Sequence, residues 1–366
     1  MQQPPRVKAR APLYHLAPAA HGGLQDTELA ALGLRREDVI DFSVNTNPLG
    51  PPPGVLEALA GLDLSRYPDP ECRELRAALA QLHGVEPDWI LPGNGSSELI
   101  FLAAHAFLEP GACAVVQGPT YSEYARACRG AGAQVIEHRA LEEAAFHPDV
   151  AALVETVRRH NAVLLFVCNP NNPTGVLLDR SALDVIVTAC PATLLVLDEA
   201  YLPFAPEAIS LAGDARILVL RSLTKDMALA GLRLGYAIGH PDVLAPLRAL
   251  QPPWSVNAAA QAAGLAALRA PKWLEAARAE IARGKRVLCE GLSCLGWRVY
   301  PSAASFLLVS VAPAQAAGVR RALLGQGCCV RDCTSFGLPQ HIRIGIRTEP
   351  ECCRLVAAAA RLQQRA

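Results

Sequence analysis

Lysine is scarce in this chain: of 34 basic residues only Lys8, Lys225, Lys272 and Lys285 are lysines. Lys225 closes the stretch Ile217-Leu-Val-Leu-Arg221-Ser-Leu-Thr-Lys225, and a second apolar stretch follows it. Between apolar segments the charged form of a lysine is penalised, and the neutral amine is the form that attacks carbonyl groups. Composition bias alone also leaves a lysine there by chance. Its neighbours add a second kind of chemistry. Ser222, Thr224 and, eight residues further on, Arg233 supply two hydroxyls and a guanidinium, a donor set suited to a phosphate.

Other apolar runs end in polar clusters of the same kind. Val163–Cys168 runs into Asn169-Pro-Asn-Asn172-Pro-Thr-Gly175, where the prolines fix a turn and aim the asparagines. A structural Asx turn explains that segment by itself. Leu194–Leu197 runs into Asp198-Glu199-Ala-Tyr201. A carboxylate at a buried strand end needs a cation or donors, which an internal salt bridge also supplies. Gly93-Asn-Gly95-Ser96-Ser97 opens a helical stretch, and free amides with the helix dipole favour an anion there. Jointly the clusters fit one ligand with a phosphate, a ring nitrogen, a ring hydroxyl and an aldehyde. Pyridoxal 5'-phosphate has these four handles.

The elements that must carry these groups alternate. Short Val/Leu/Ile runs at Ala114–Gln117, Gln134–His138, Val163–Cys168, Leu194–Asp198, Ile217–Leu220 and Gly235–Ile238 predict strands. Amphipathic stretches such as Ser122–Gly130 and Ser181–Ala189 lie between them. Continuous apolar strands alternating with helices predict an α/β fold with a mostly parallel, doubly wound sheet, whose ligands sit at the strands' carboxyl ends. The spacing also predicts helices over Asp26–Leu34 with Asp26 as N-cap, Val55–Leu62, Arg73–His83 and, without interruption, Asn257 to about Cys294. Strands and a terminal helix after Trp297 predict a smaller α+β domain. The expected division is an N-terminal arm (1–40), a large domain (41–265, with 41–55 packing on the small domain) and a small domain (266–366).

Composition narrows the function classes. The chain has 366 residues, 51% of them hydrophobic and 19% charged, which is a globular balance. Its 34 basic and 34 acidic residues give no net charge, so nucleic acid and anionic membranes are not expected partners. No apolar run is long enough to span a bilayer, and the proline-rich start has no secretory apolar core. The twelve cysteines form no zinc-like spacing. Free thiols in a reducing cytoplasm and no metal site are the expectation.

Six segments in order, GNGSSE, PTYSEY, NPNNPTG, DEAY, SLTK and GLRLGY, resemble the fold-type-I pyridoxal-phosphate enzymes of aminotransferase class I/II, and the resemblance extends over nearly the whole chain. Within that family the chain is similar to threonine-phosphate decarboxylases and to histidinol-phosphate aminotransferases. His21–Gly23, Asp41–Gly50, Arg66–Pro70, Arg221–Lys225 and Pro252–Asn257 lean to the decarboxylases. Leu24 after His21–Gly23, and Asp226-Met227 after Lys225, depart from the usual pattern; these departures bear on the substrate rather than the cofactor.

The resemblance implies that Lys225 binds the cofactor aldehyde and that Asp198 pairs with the ring nitrogen. It implies that Tyr201 and Asn172 touch the ring hydroxyl and that Tyr121 stacks on the ring. Ser96, Ser97, Ser222, Thr224 and Arg233 surround the phosphate. Tyr67 reaches the cofactor phosphate of a neighbouring subunit in a homodimer with shared sites. His21, Asn45, Arg331 and Arg343 bind a small phosphorylated amino acid. The implied reaction is decarboxylation of L-threonine O-3-phosphate to 1-aminopropan-2-ol O-phosphate in cobalamin biosynthesis. The alternative is transamination of histidinol phosphate with 2-oxoglutarate.

Overall fold

The computed structural model describes residues 13, 14, 16 and 21–364. Most of the proline-rich N-terminal stretch, including Lys8, lies outside the described residues. Strand β1 (Ile40–Asp41) is followed by β2 (Ile90–Asn94), β3 (Cys113–Gly118), β4 (Gln134–Arg139) and β5 (Leu164–Cys168). Next come β6 (Leu194–Asp198), β7 (Ile217–Ser222) and β8 (Leu234–Ile238). β2 to β8 form one sheet in the order β2-β8-β7-β6-β5-β3-β4. Its strands are parallel except β8, which runs antiparallel to both β7 and β2. Residues in β5, β7 and β8 are buried throughout. Helices cover both faces, which is why these strands read as continuous apolar runs rather than alternating ones.

Two core clusters flank this sheet. One joins Leu165, Leu197 and Val219 to Leu75 and Leu79 of the Arg73–His83 helix. The other joins Phe166, Val196 and Leu218 to Leu99 and Ala103 of the Gly95–Phe107 helix. Alternate residues of β5, β6 and β7 thus feed opposite faces, as the period of two requires.

The C-terminal part builds a four-stranded sheet from β9 (Arg298–Val299), β10 (Phe306–Ser310), β12 (Arg331–Asp332) and β13 (His341–Gly345), in the order β12-β13-β10-β9. The intervening β11 (Cys328–Cys329) pairs instead with β1. Phe42 is fully buried in the same cluster as Phe306, Ile342 and Leu355, so the segment after β1 packs with the C-terminal sheet. The twelve cysteines are all free thiols.

Two local expectations need correction. The helix expected from Asn257 to Cys294 is two helices, Ala258–Leu268 and Pro271–Cys294. Proline disfavours the α conformation in the residue before it, and Ala270 has left it at φ −117° and ψ 56°. Gln25, not Asp26, occupies the N-cap of the Asp26–Ala31 helix; Asp26 sits in the first turn and pairs with Arg36 at 2.8 Å. β8 is the antiparallel member of the mostly parallel sheet, a direction that the apolar pattern of a strand does not carry.

Candidate active site

The polar ends of β2, β5, β6 and β7 converge on a cavity of about 380 Å³. Lys225, Ser96, Ser97, Tyr121, Asn172, Asp198, Tyr201, Ser222, Thr224 and Arg233 all line it, as do His21, Asn45, Arg331 and Arg343. Tyr67 does not. It is 80% exposed and packs on Trp254, ring centroids 4.6 Å apart.

Lys225 is the half-buried amine of the site. Burial, then the guanidinium groups of Arg343 and Arg233, push its pKa down to about 8, against a smaller opposing pull from Asp198. A large neutral fraction at mild pH is what carbonyl attack needs. Its carbonyl accepts from Asn47 N at 2.8 Å, which fixes the backbone beneath it.

The anion cradle is built from one glycine and one arginine. Gly95 has φ +74°, and a Cβ there would lie 2.6 Å from Arg233 Nη2. Only glycine lets the guanidinium approach the start of the Gly95–Phe107 helix so closely. A cation beside the positive end of a helix is unfavourable by itself and favourable once an anion lies between them. Ser222 Oγ and Thr224 Oγ1 are buried 2.7 Å apart at the same cavity. These donors fit a phosphate.

Asp198 ends β6 and is 4% exposed. Its Oδ2 accepts from Tyr124 Oη at 2.7 Å and its Oδ1 from Ala200 N at 2.9 Å. Burial still raises its pKa against those two bonds. A protonated ring nitrogen would return the charge balance, so the carboxylate fits that partner. The adjacent Glu199 points the other way. It pairs with Arg221 at 3.1 Å and accepts from Ser210 Oγ at 2.7 Å, a structural pair.

Asn45 Nδ2 donates to Tyr201 Oη at 3.1 Å, while its own buried Oδ1 has no partner. Asn172 Oδ1 accepts from Arg343 Nη1 at 2.6 Å, which leaves the Asn172 amide nitrogen as a donor. Arg343 Nη2 donates to Ser43 O at 2.7 Å. Arg331 and Arg343 are cross-strand partners on β12 and β13. Like charges directly opposite repel, so an anion between them is stabilised. Burial and Arg343 lower the pKa of Arg331, and Arg331 Nη2 donates to Ser335 Oγ at 2.7 Å.

His21 stands at the mouth. Its Nε2 lies 3.3 Å from Glu123 Oε1 and its ring 5.8 Å from that of Tyr121. Glycine is required next to it: a Cβ on Gly22 would sit 2.2 Å from Ser43 O. Gly23 N donates to Ser43 Oγ at 2.7 Å, which completes the attachment of the arm to the segment bearing Asn45.

Sequence reasoning missed Tyr124, Glu123 and Ser43. Tyr124 and Glu123 stand inside the PTYSEY segment, but only the three-dimensional path of the Glu123–Ala131 helix brings the phenol to Asp198. Ser43 has no signal beyond its place beside Asn45.

Comparison with known proteins agrees with this geometry. The profile of the family "Aminotransferase class I and II" matches residues 37–359. Histidinol-phosphate aminotransferase of Symbiobacterium thermophilum is 40% identical, covering 89% of this chain and 91% of its own. Threonine-phosphate decarboxylase of Salmonella typhimurium is 39% identical, covering 93% and 95%. The crystal structure of histidinol-phosphate aminotransferase from Sinorhizobium meliloti with pyridoxal-5'-phosphate superposes with a TM-score of 0.86 at 26% identity, covering 98% and 99%. Fold and site thus define a fold-type-I pyridoxal-phosphate enzyme. The chain belongs to the class I and II aminotransferase family, and its cofactor is pyridoxal 5'-phosphate. No helix among the described residues is long and apolar enough to cross a membrane.

Proposed function

We propose that this enzyme decarboxylates L-threonine O-3-phosphate to 1-aminopropan-2-ol O-phosphate, a step of cobalamin side-chain assembly, as a cytoplasmic homodimer. One observation carries the reading. The His21–Gly23 arm is seated on Ser43, so that His21 and Asn45 join the opposed pair Arg331 and Arg343 around one cavity. These groups suit a short substrate with two anionic ends, a carboxylate and a phosphate. Histidinol phosphate has a single anionic end and an imidazole.

The bound cofactor supplies an electron sink for the bond broken at Cα. The chain's own groups do the rest. Lys225 holds the cofactor aldehyde and, once displaced by the substrate amine, stands as the proton donor to Cα. Asp198, oriented by Tyr124 and Ala200 N, keeps a negative charge where the ring nitrogen's proton must stay. Arg331, His21 and Asn45 bind the phosphate and so fix rotation about the substrate's bonds. In the balanced step the Cα–carboxylate bond breaks, carbon dioxide leaves, and one proton is added at Cα. Holding the substrate by its phosphate avoids stabilising the departing carboxylate in the ground state.

The second reading is transamination of histidinol phosphate with 2-oxoglutarate, in which Lys225 removes the Cα proton as general base. It is supported by the name of the 40%-identical relative. Product analysis separates the two. Carbon dioxide release from threonine O-3-phosphate without any keto acid is the expected result. Its absence, with glutamate formed from histidinol phosphate and 2-oxoglutarate, overturns the first reading in favour of the second.

A further inference from the structure

A second cavity, of about 360 Å³, lies behind the segment that carries Lys225. One partition separates it from the active site. Ser222, Thr224 and Lys225 line the active-site cavity, whereas Arg221, Leu223, Asp226 and Met227 line the second. Strand geometry makes the first division, because Arg221 and Ser222 leave the end of β7 on opposite faces, and the turn of residues 223–227 carries the rest. The cross-strand partners divide in the same way. Gly235, opposite Ser222, faces Ser96, while Tyr236, opposite Arg221, lines the second cavity. A neighbouring strip repeats it, with Tyr201 in front and Leu202 and Pro203 behind.

The charged groups facing the second cavity differ in what holds them. Arg221 pairs with the buried Glu199. His83 bonds Tyr236 Oη at 2.9 Å and is kept neutral by burial, which pushes its pKa down to about 4. Asp226 accepts from Met227 N at 2.9 Å; burial raises its pKa to about 7, against that bond and the attraction of Arg221 and Arg278. Glu275 sits exposed at the rim, where water screens it. Arg278 donates through Nε to Pro203 O at 2.7 Å and forms no ion pair among the described residues. The remaining walls are mostly apolar, with Leu223 and Met227 in the interior and Leu82 exposed at the edge.

We propose that this second cavity binds a small carboxylic acid with an apolar body, its carboxylate at Arg278 and its body against Leu223 and Met227, and that its occupation is felt at Lys225. The route is short. Asn47 pins the partition from the front, N to Lys225 O and Nδ2 to Asp226 O, both at 2.8 Å. A body packed on Met227 and Asp226 acts on the same stretch of backbone. The site is independent of which amino acid the enzyme turns over.

The test titrates holoenzyme with phenylacetate, by calorimetry and by the visible absorbance of the cofactor across pH. Expected are saturable binding of one phenylacetate per chain, inhibition that is not competitive with the amino-acid substrate, and a displaced pH midpoint of the absorbance. Phenylacetamide should bind at least tenfold more weakly. Arg278→Gln should weaken phenylacetate at least tenfold and keep its activity without the acid, and Ala208→Trp, which fills the cavity, should abolish binding. Competitive inhibition, unchanged binding in both variants, or no saturable binding overturns the site. Binding that leaves the pH midpoint in place overturns the coupling to Lys225.

Discussion

At the scale of single residues, the balance around Lys225 yields a signed pH dependence. Its pKa falls from an ordinary 10.5 to about 8 in the folded chain. Between those two values the unfolded chain binds more protons at this site, so its contribution to stability rises with pH across that window. The melting temperature of cofactor-free protein, measured at pH 8 and pH 10, should therefore rise more in the wild type than in Lys225→Met. Cofactor capture by the cofactor-free protein should accelerate as pH passes through about 8. Because Arg343 lowers the Lys225 pKa, Arg343→Gln should move that midpoint upward; a downward move would refute the assigned cause. Tyr124 acts through Asp198. Tyr124→Phe removes a bond to a buried carboxylate, about 1.5–3 kcal/mol for a charge-assisted bond. That corresponds to a loss of tenfold or more in kcat/KM with the fold retained, which steady-state kinetics beside circular dichroism would check.

At the scale of elements, strands deliver groups to one rim and a helix start completes the cradle. Gly95 is a tight point of that cradle. A methyl group there meets the Arg233 guanidinium at 2.6 Å in a backbone conformation that favours glycine. Gly95→Ala should weaken pyridoxal-phosphate affinity at least tenfold and cost stability on the order of 1 kcal/mol. Equilibrium dialysis and thermal melting would read the two effects separately. The end of β6 shows how one element serves two purposes. Asp198 faces the cofactor site, and Glu199 faces back to Arg221. Removing one partner of such a buried pair leaves an uncompensated charge, so Glu199→Gln should destabilise the protein by about 3–5 kcal/mol. Urea denaturation would detect a change that large.

At the scale of the whole molecule, the site draws on distant parts of the chain. The arm contributes His21, the large sheet Lys225 and Asp198, and the C-terminal sheet Arg331 and Arg343. Tyr67 stands apart, exposed against Trp254; in the proposed homodimer it would serve the neighbouring chain's cofactor. Complementation tests this. Mixing Lys225→Ala chains with Tyr67→Ala chains should restore activity, since each hybrid dimer holds one site with both residues intact. Mixtures no more active than their parts would place Tyr67 outside the chemistry.

Much of this enzyme was legible in the order of its residues. Apolar runs marked buried strands because helices on both faces dry them, and the polar clusters at their ends marked the cofactor groups because chemistry needs those types at a strand's exit. The retained lysine at position 225 stood out against a background of arginine. Local pattern carries no information about direction or distant contact, and there the fold decided. It set β8 antiparallel, placed Arg331 opposite Arg343 across 11 intervening residues, and brought the Tyr124 hydroxyl to Asp198 from 74 positions away. It also turned the residues of a single segment into the walls of two cavities. Such relations depend on packing between elements, and packing is settled only when the whole chain has closed on its cores.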